Sequence, residues 1–193
     1  MKLELKHLAP YLPYKLTAEM IDYKCDYVGK KYDEIVGVHQ WDKSGLLWCV
    51  LTVGCSKPSL DKIKPILRPL SDLTKEIEHN GEKFVPLEKL FKMIDNSDYI
   101  EFLIKNELLN CDLLKMNTQI DDDWNHVLII HSDESDLEFH YSNCSFGLFT
   151  NWEHLFVSNL YELLQKLFEL HFDVFGLIEN KLAIDINTLN QQP

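Results

Sequence analysis

Residues 152 to 179 read WEHLFVSNLYELLQKLFELHFDVFGLIE, the longest apolar-periodic run in the chain. Phe156, Leu160, Leu163, Leu164, Leu167, Phe168 and His171 recur at spacings of three and four, which places them on one stripe of a helix. Ser158, Glu162, Gln165, Lys166 and Glu169 fall opposite, so the pattern predicts a long carboxy-terminal helix lying on a core, not a membrane span. Thr150 and Glu153 have capping-box spacing and mark the expected start of that helix. Asn180 is the expected left-handed residue after its end.

Upstream the period changes from helical to alternating. From Lys15, the runs KLTAEMIDY, KYDEIVGVHQW and GLLWCVLTV set apolar and polar residues in turn between loop formers, which predicts antiparallel strands. With Leu60 to Leu67 they make a small curled sheet, like an SH3-type barrel. Met1 to Tyr14 carries Leu3, Leu5 and Leu8 ahead of two prolines and reads as a short helical turn or docking arm. Asn80-Gly81 supplies the positive φ angles of a type I′ turn and centres a hairpin on Thr74 to Val85. Leu87, Leu90, Phe91 and Ile94 return to helical spacing. A second helix is expected from Asp98 to Leu109, a loop from Cys111 to Asp123, and a further hairpin over Asn125 to Ser142. The fold class is α+β, with a boundary near Leu70 to Asp72. Residues 1–70 form a β-rich part, and 71–193 an α+β part with an acidic surface, or the two make one continuous domain.

With 193 residues, 46% of them hydrophobic, the chain can bury a core without disulfides or metal. Cys25, Cys49, Cys55, Cys111 and Cys144 form no CxxC pair and read as reduced, mostly buried thiols. No basic-then-apolar leader and no run near 18 apolar residues occur, so the cytosol is the expected compartment. The net charge of -12 is uneven: residues 1–109 hold 16 Lys+Arg against 17 Asp+Glu, and 110–193 hold 3 against 14. The acidic half is expected to repel nucleic acid and to attract a basic protein surface.

Two stretches, KPILRPLSDLTKEIEHNGEKFVP at 64–86 and LQKLFELHFDVFGLIENKLAIDINTL at 164–189, resemble the shared blocks of a family of small proteins encoded in phages and prophages of Bacteroidetes. The opening LAPYLPYKL is similar to that family's start. The resemblance covers about a third of the chain. It implies a phage origin and carries over no activity, cofactor or catalytic residue.

Candidate sites are sparse. Arg68, the one arginine beside eighteen lysines, stands between Pro65 and Pro69 and suits bidentate capture of a carboxylate or phosphate; Asp72, four residues on, could take it as a structural ion pair instead. Tyr23, Tyr27, Tyr32, Trp41 and Trp48 could present a stacking or peptide-binding face, or fill the core. Asp121, Asp122, Asp123, Asp133, Glu134, Asp136 and Glu138 make an acidic face without the spacing or glycine of an EF-hand. Such a face could imitate DNA phosphates. His126, His131 and His140 could meet near Asp121 to Asp123 as a metal cluster, although no HxH, HxxxH or HExxH spacing supports it. No GxSxG, GxGxxG or P-loop is present, and no cofactor is expected.

The leading expectation is a non-catalytic phage accessory protein in the host cytosol, with anti-defence activity as one such role. It would bind a host protein through the acidic half or a small anionic signal through the lysine-bearing half. The alternatives are a metal-dependent hydrolase or nuclease built on the histidine cluster, and a virion or assembly component associating through the long helix. Composition leaves the oligomeric state open.

Overall fold

The computed structural model describes residues 1–21, 32–40, 47–52, 58–94, 116–119, 126–131, 136–142, 145–150 and 153–189. In chain order its elements begin with α1 (Leu5–Leu8), β1 (Thr17–Met20), β2 (Tyr32–Gln40), β3 (Leu47–Leu51), β4 (Ile63–Leu67), β5 (Ile77–His79), β6 (Glu82–Phe84) and α2 (Pro86–Phe91). They continue with β7 (Met116–Gln119), β8 (His126–His131), β9 (Asp136–Ser142), β10 (Ser145–Thr150), β11 (Glu153–Leu155), α3 (Leu160–Glu169), β12 (Ile184–Asp185) and α4 (Ile186–Leu189). The chain is therefore mixed α and β with several sheets. It divides into two compact units, Met1–Leu70 with Leu167–Pro193, and Ser71–Lys166. This differs from the expected division, because Leu167–Pro193 belongs with the amino-terminal strands and not with the acidic segment before it.

In the first unit the sheet order is β12-β4-β1-β2-β3. The alternating runs form antiparallel ladders: Ala18 lies opposite Asp33 on β2 and Pro65 on β4, and Val38 lies opposite Cys49 on β3. The outer edge of β4, which an SH3-type barrel would use for closure, is taken by β12 running parallel, with Ile184 beside Ile66. Among the described residues the sheet is open, not a closed barrel. Leu8, Leu16, Ile35, Leu67 and Leu177 are fully buried in its core. The prolines end α1 and wind Ala9–Tyr14 into a 3-10 segment, which carries Tyr11 inward. Its hydroxyl donates to the Phe172 carbonyl at 2.7 Å and accepts from the Val174 amide at 3.3 Å. The Arg68 amide donates to the His171 carbonyl, and the Asp173 amide to the Arg68 carbonyl, both at 2.8 Å.

The long helix expected over Trp152 to Glu179 is corrected to the ten residues of α3. At its front, Thr150 and Glu153 are not a capping box; they are opposed partners in the β10–β11 ladder. Phe156 precedes the helix and is 72% exposed, not part of a buried stripe. At its rear, His171 takes φ 59°, its amide donating to the Phe168 carbonyl and that of Phe172 to Leu167. These two bonds are a Schellman motif with a histidine in the left-handed position. A second one follows: the Lys181 amide donates to Ile178 and that of Leu182 to Leu177, with Lys181 at φ 60°. The left-handed residue is thus Lys181, not Asn180, whose side chain donates to the Gly176 carbonyl at 2.7 Å.

The second unit is an antiparallel meander of order β11-β10-β9-β8-β7 with a separate β5–β6 hairpin. Asn80 and Gly81 take φ 53° and 81°, as the type I′ reading requires, and His79 lies opposite Glu82. The β8–β9 hairpin follows the alternation of Asn125 to Ser142, whereas β7 corrects the loop expected over Cys111 to Asp123. Helix α2 opens on Pro86 and buries Leu87, Leu90 and Phe91. The Phe91 ring lies 5.7 Å from Phe139, which stacks on Phe146 at 5.5 Å. The helix expected over Asp98 to Leu109 lies outside the described residues.

Candidate functional site

Of the residues singled out by sequence, Tyr23, Tyr27, Trp41, Asp121, Asp122, Asp123, Asp133 and Glu134 lie outside the described residues. Tyr32 and Trp48 are half-buried, and the Trp48 Nε1 is enclosed with no hydrogen-bond partner among the described residues. The Arg68 Nε is buried, and its backbone is committed to the 171–173 segment. Asp72 receives the Lys75 Nζ at 2.9 Å. Asp136 stands opposite His131.

Strand register separates the histidine cluster. Along the β8–β9 ladder His126 pairs with Tyr141 and His131 with Asp136. Asp136 is four residues from His140, about 13 Å along the strand. The Nε2 of His140 meets the Glu138 Oε2 at 2.9 Å, and its ring lies edge-on to Phe149 at 5.0 Å. No group of three or more His, Cys, Asp or Glu that could hold a metal ion occurs among the described residues. Burial pushes the Cys49 thiol up to about 12, so it is protonated at neutral pH and a poor nucleophile.

A different set of residues converges in the first unit. A hollow of about 200 Å³ is bounded by Lys2, Lys64 and Lys181 over Leu3, Leu60 and Ile63. A second, of about 460 Å³, shares Lys2, Leu3, Leu60 and Asp61 with it and continues past Glu4 and Lys6. The apolar floor belongs to the core: Leu3 and Ile63 are almost wholly buried, so the floor is held rigidly. Lys64 is placed by β4, opposite Glu19 on β1. Asp61, the one acid among the described residues that border the smaller hollow, is held by the Ser59 hydroxyl at 2.5 Å. That bond, with Lys62 and Lys2 nearby, keeps its carboxyl below the usual range.

Lys181 reaches the cleft because of a buried carboxylate. Asp173 accepts the amides of Leu177 at 2.8 Å and Ile178 at 2.7 Å, which starts the turn that the Schellman bonds close on Lys181. Burial raises the Asp173 carboxyl above its ordinary value despite those two amides. No sequence pattern marked Lys2, Lys64 or Lys181, since they are scattered among eighteen lysines and converge only through folding.

The acidic excess also sorts by unit. Met1–Leu70 with Leu167–Pro193 holds 12 Lys+Arg and 12 Asp+Glu, whereas Ser71–Lys166 holds 7 and 19. Phe156 and Tyr161, 72% and 69% exposed, stand on this acidic second unit. No helix among the described residues is long and apolar enough to cross a membrane. Comparison with protein-family models, curated proteins and solved structures gives no match.

Proposed function

We propose that the chain is a non-catalytic binding protein whose first unit holds a small anion in the cleft of Lys2, Lys64 and Lys181. The observation that carries this reading is that, among the described residues, three lysines, from the amino-terminal arm, from β4 and from the turn after Phe175, converge with one aspartate on an apolar floor. The phage setting suggested by the blocks at 64–86 and 164–189 makes it an accessory protein of the host cytosol, where removing a small anionic signal would be an anti-defence activity.

Magnitude constrains the ligand. An exposed ion pair contributes about 0–1 kcal/mol, so three lysines supply at most about 3 kcal/mol, less than the roughly 4.1 kcal/mol of a millimolar complex. Charge alone is therefore a weak grip. In an NMR titration with millimolar phosphates and carboxylates, the amides of residues 2, 64 and 181 are expected to shift, and the Lys2→Ala/Lys64→Ala/Lys181→Ala variant to lose the response. Shifts that survive in the variant, or that never occur, would reject the reading.

A second reading is favoured by the charge of the second unit and its exposed aromatic side chains: a basic protein partner, steered by the acidic surface and anchored by Phe156 and Tyr161. Affinity of a lysine-rich host protein for the chain should then fall both with added salt and on Phe156→Ser/Tyr161→Ser. Insensitivity to the double substitution would exclude these anchors.

A further inference from the structure

We infer that the cleft takes an aliphatic amphiphilic anion, a carboxylate or phosphate on a short saturated chain, and that Lys181 fixes its charged end. This rests on the anion-binding reading above. Three observations lead to it.

The first is the floor. Leu3, Leu60 and Ile63 offer saturated carbon beside the lysines, and no aromatic ring among the described residues lines either hollow. A nucleobase, which gains most of its contact energy from stacking on aromatic rings, finds no platform here. A short alkyl chain does. The second is size: about 200 Å³ equals roughly seven water volumes, room for a head group and a few methylenes.

The third is the backbone at Lys181. A Schellman motif favours glycine in its left-handed position, because any Cβ there crowds the backbone. At His171 the side chain compensates, its Nε2 donating to the Tyr14 carbonyl at 2.7 Å. At Lys181 no hydrogen bond or ion pair holds the side chain among the described residues, yet a lysine at φ 60° borders the smaller hollow. A residue placed against local conformational preference, bordering a hollow that Lys2 and Lys64 also line, fits a ligand contact better than a structural one.

The test uses the full chain and isothermal titration with hexanoate, hexyl phosphate, inorganic phosphate, hexylamine and AMP. Hexanoate or hexyl phosphate should bind at least tenfold tighter than inorganic phosphate, and whichever is tighter identifies the head group as carboxylate or phosphate. Hexylamine and AMP should not compete. Lys181→Gly should weaken the better ligand about fivefold, the loss of one exposed ion pair, while Tm holds or rises by up to about 4 °C. Lys15→Gly is the control: it relieves another left-handed lysine, at φ 59°, and removes the same charge away from the cleft. Its affinity should stay within twofold of the parent.

AMP binding as tightly as hexyl phosphate, or inorganic phosphate doing so, would overturn the aliphatic assignment. Equal losses in the Lys181 and Lys15 variants, or none in the Lys181 variant, would overturn the role of Lys181 while leaving the cleft an anion site. If no anion in the panel binds and no cleft amide shifts at 50 mM phosphate, both this inference and the anion-binding reading fall.

Discussion

His7 shows how burial at one residue reaches the stability of the chain. Its ring is almost wholly enclosed, 5.6 Å from Phe175, and its Nδ1 accepts the Glu4 amide at 3.1 Å. Burial, and then Lys6, lowers its pKa below the ordinary 6.5. The unfolded chain therefore takes up the proton first as pH falls. The contribution is fully present above about pH 6.5 and is lost as pH drops from there toward the depressed folded value. We expect the urea midpoint to fall between pH 7.5 and pH 5.5, and His7→Gln, which keeps an acceptor for the Glu4 amide, to flatten that fall. The same pH slope in both proteins would show that His7 is not responsible. At this scale the sequence was partly legible: Asn80-Gly81 predicted its own turn, because glycine is nearly alone in taking positive φ without cost. His171 and Lys181 could not be read that way, since their left-handed conformations are imposed by the turns around them.

At the scale of elements, alternation placed the strands, whereas helical spacing placed α2 but overran α3 at both ends. β1 to β4 and the β8–β9 hairpin fall where the alternating runs are. Around Thr150, a stretch with both patterns became β10 and β11, because cross-strand bonds to β9 satisfy a backbone that a lone helical turn would leave half paired. Within that meander Gly147 has a specific task. A Cβ there would come within 2.7 Å of the Phe149 ring, which is itself 5.0 Å from His140 and 4.9 Å from His154. Gly147→Ala is expected to destabilise the second unit by about 1–2 kcal/mol, since the ring must leave its place between two imidazoles. Phe149→Leu should recover much of that loss, and a double-mutant cycle in urea measures the coupling. Additive effects would mean that ring and glycine are independent.

For the molecule as a whole, the decisive event is the return of Leu167–Pro193 to the first unit. The Tyr11 hydroxyl bonds to Phe172 and Val174, the Arg68 backbone grips residues 171 and 173, and β12 lies beside β4. Tyr11→Phe leaves the buried Phe172 carbonyl and Val174 amide without that hydroxyl and should cost about 1–3 kcal/mol. Hydrogen exchange should report faster opening in residues 172–183; unchanged protection there would assign the clasp to the backbone bonds alone. The anion cleft depends on the same return, because Lys181 arrives with that segment while Lys2 and Lys64 precede it by more than a hundred residues. By itself the sequence determined the mixed α and β class, most strands of the first sheet, the type I′ hairpin and the concentration of negative charge after the first part of the chain. Each follows from local spacing or composition. Only the tertiary structure decided where α3 stops, which strand occupies the edge of β4 and which three lysines share a cleft. Those outcomes depend on contacts between residues far apart in the chain, and local periodicity carries no information about them.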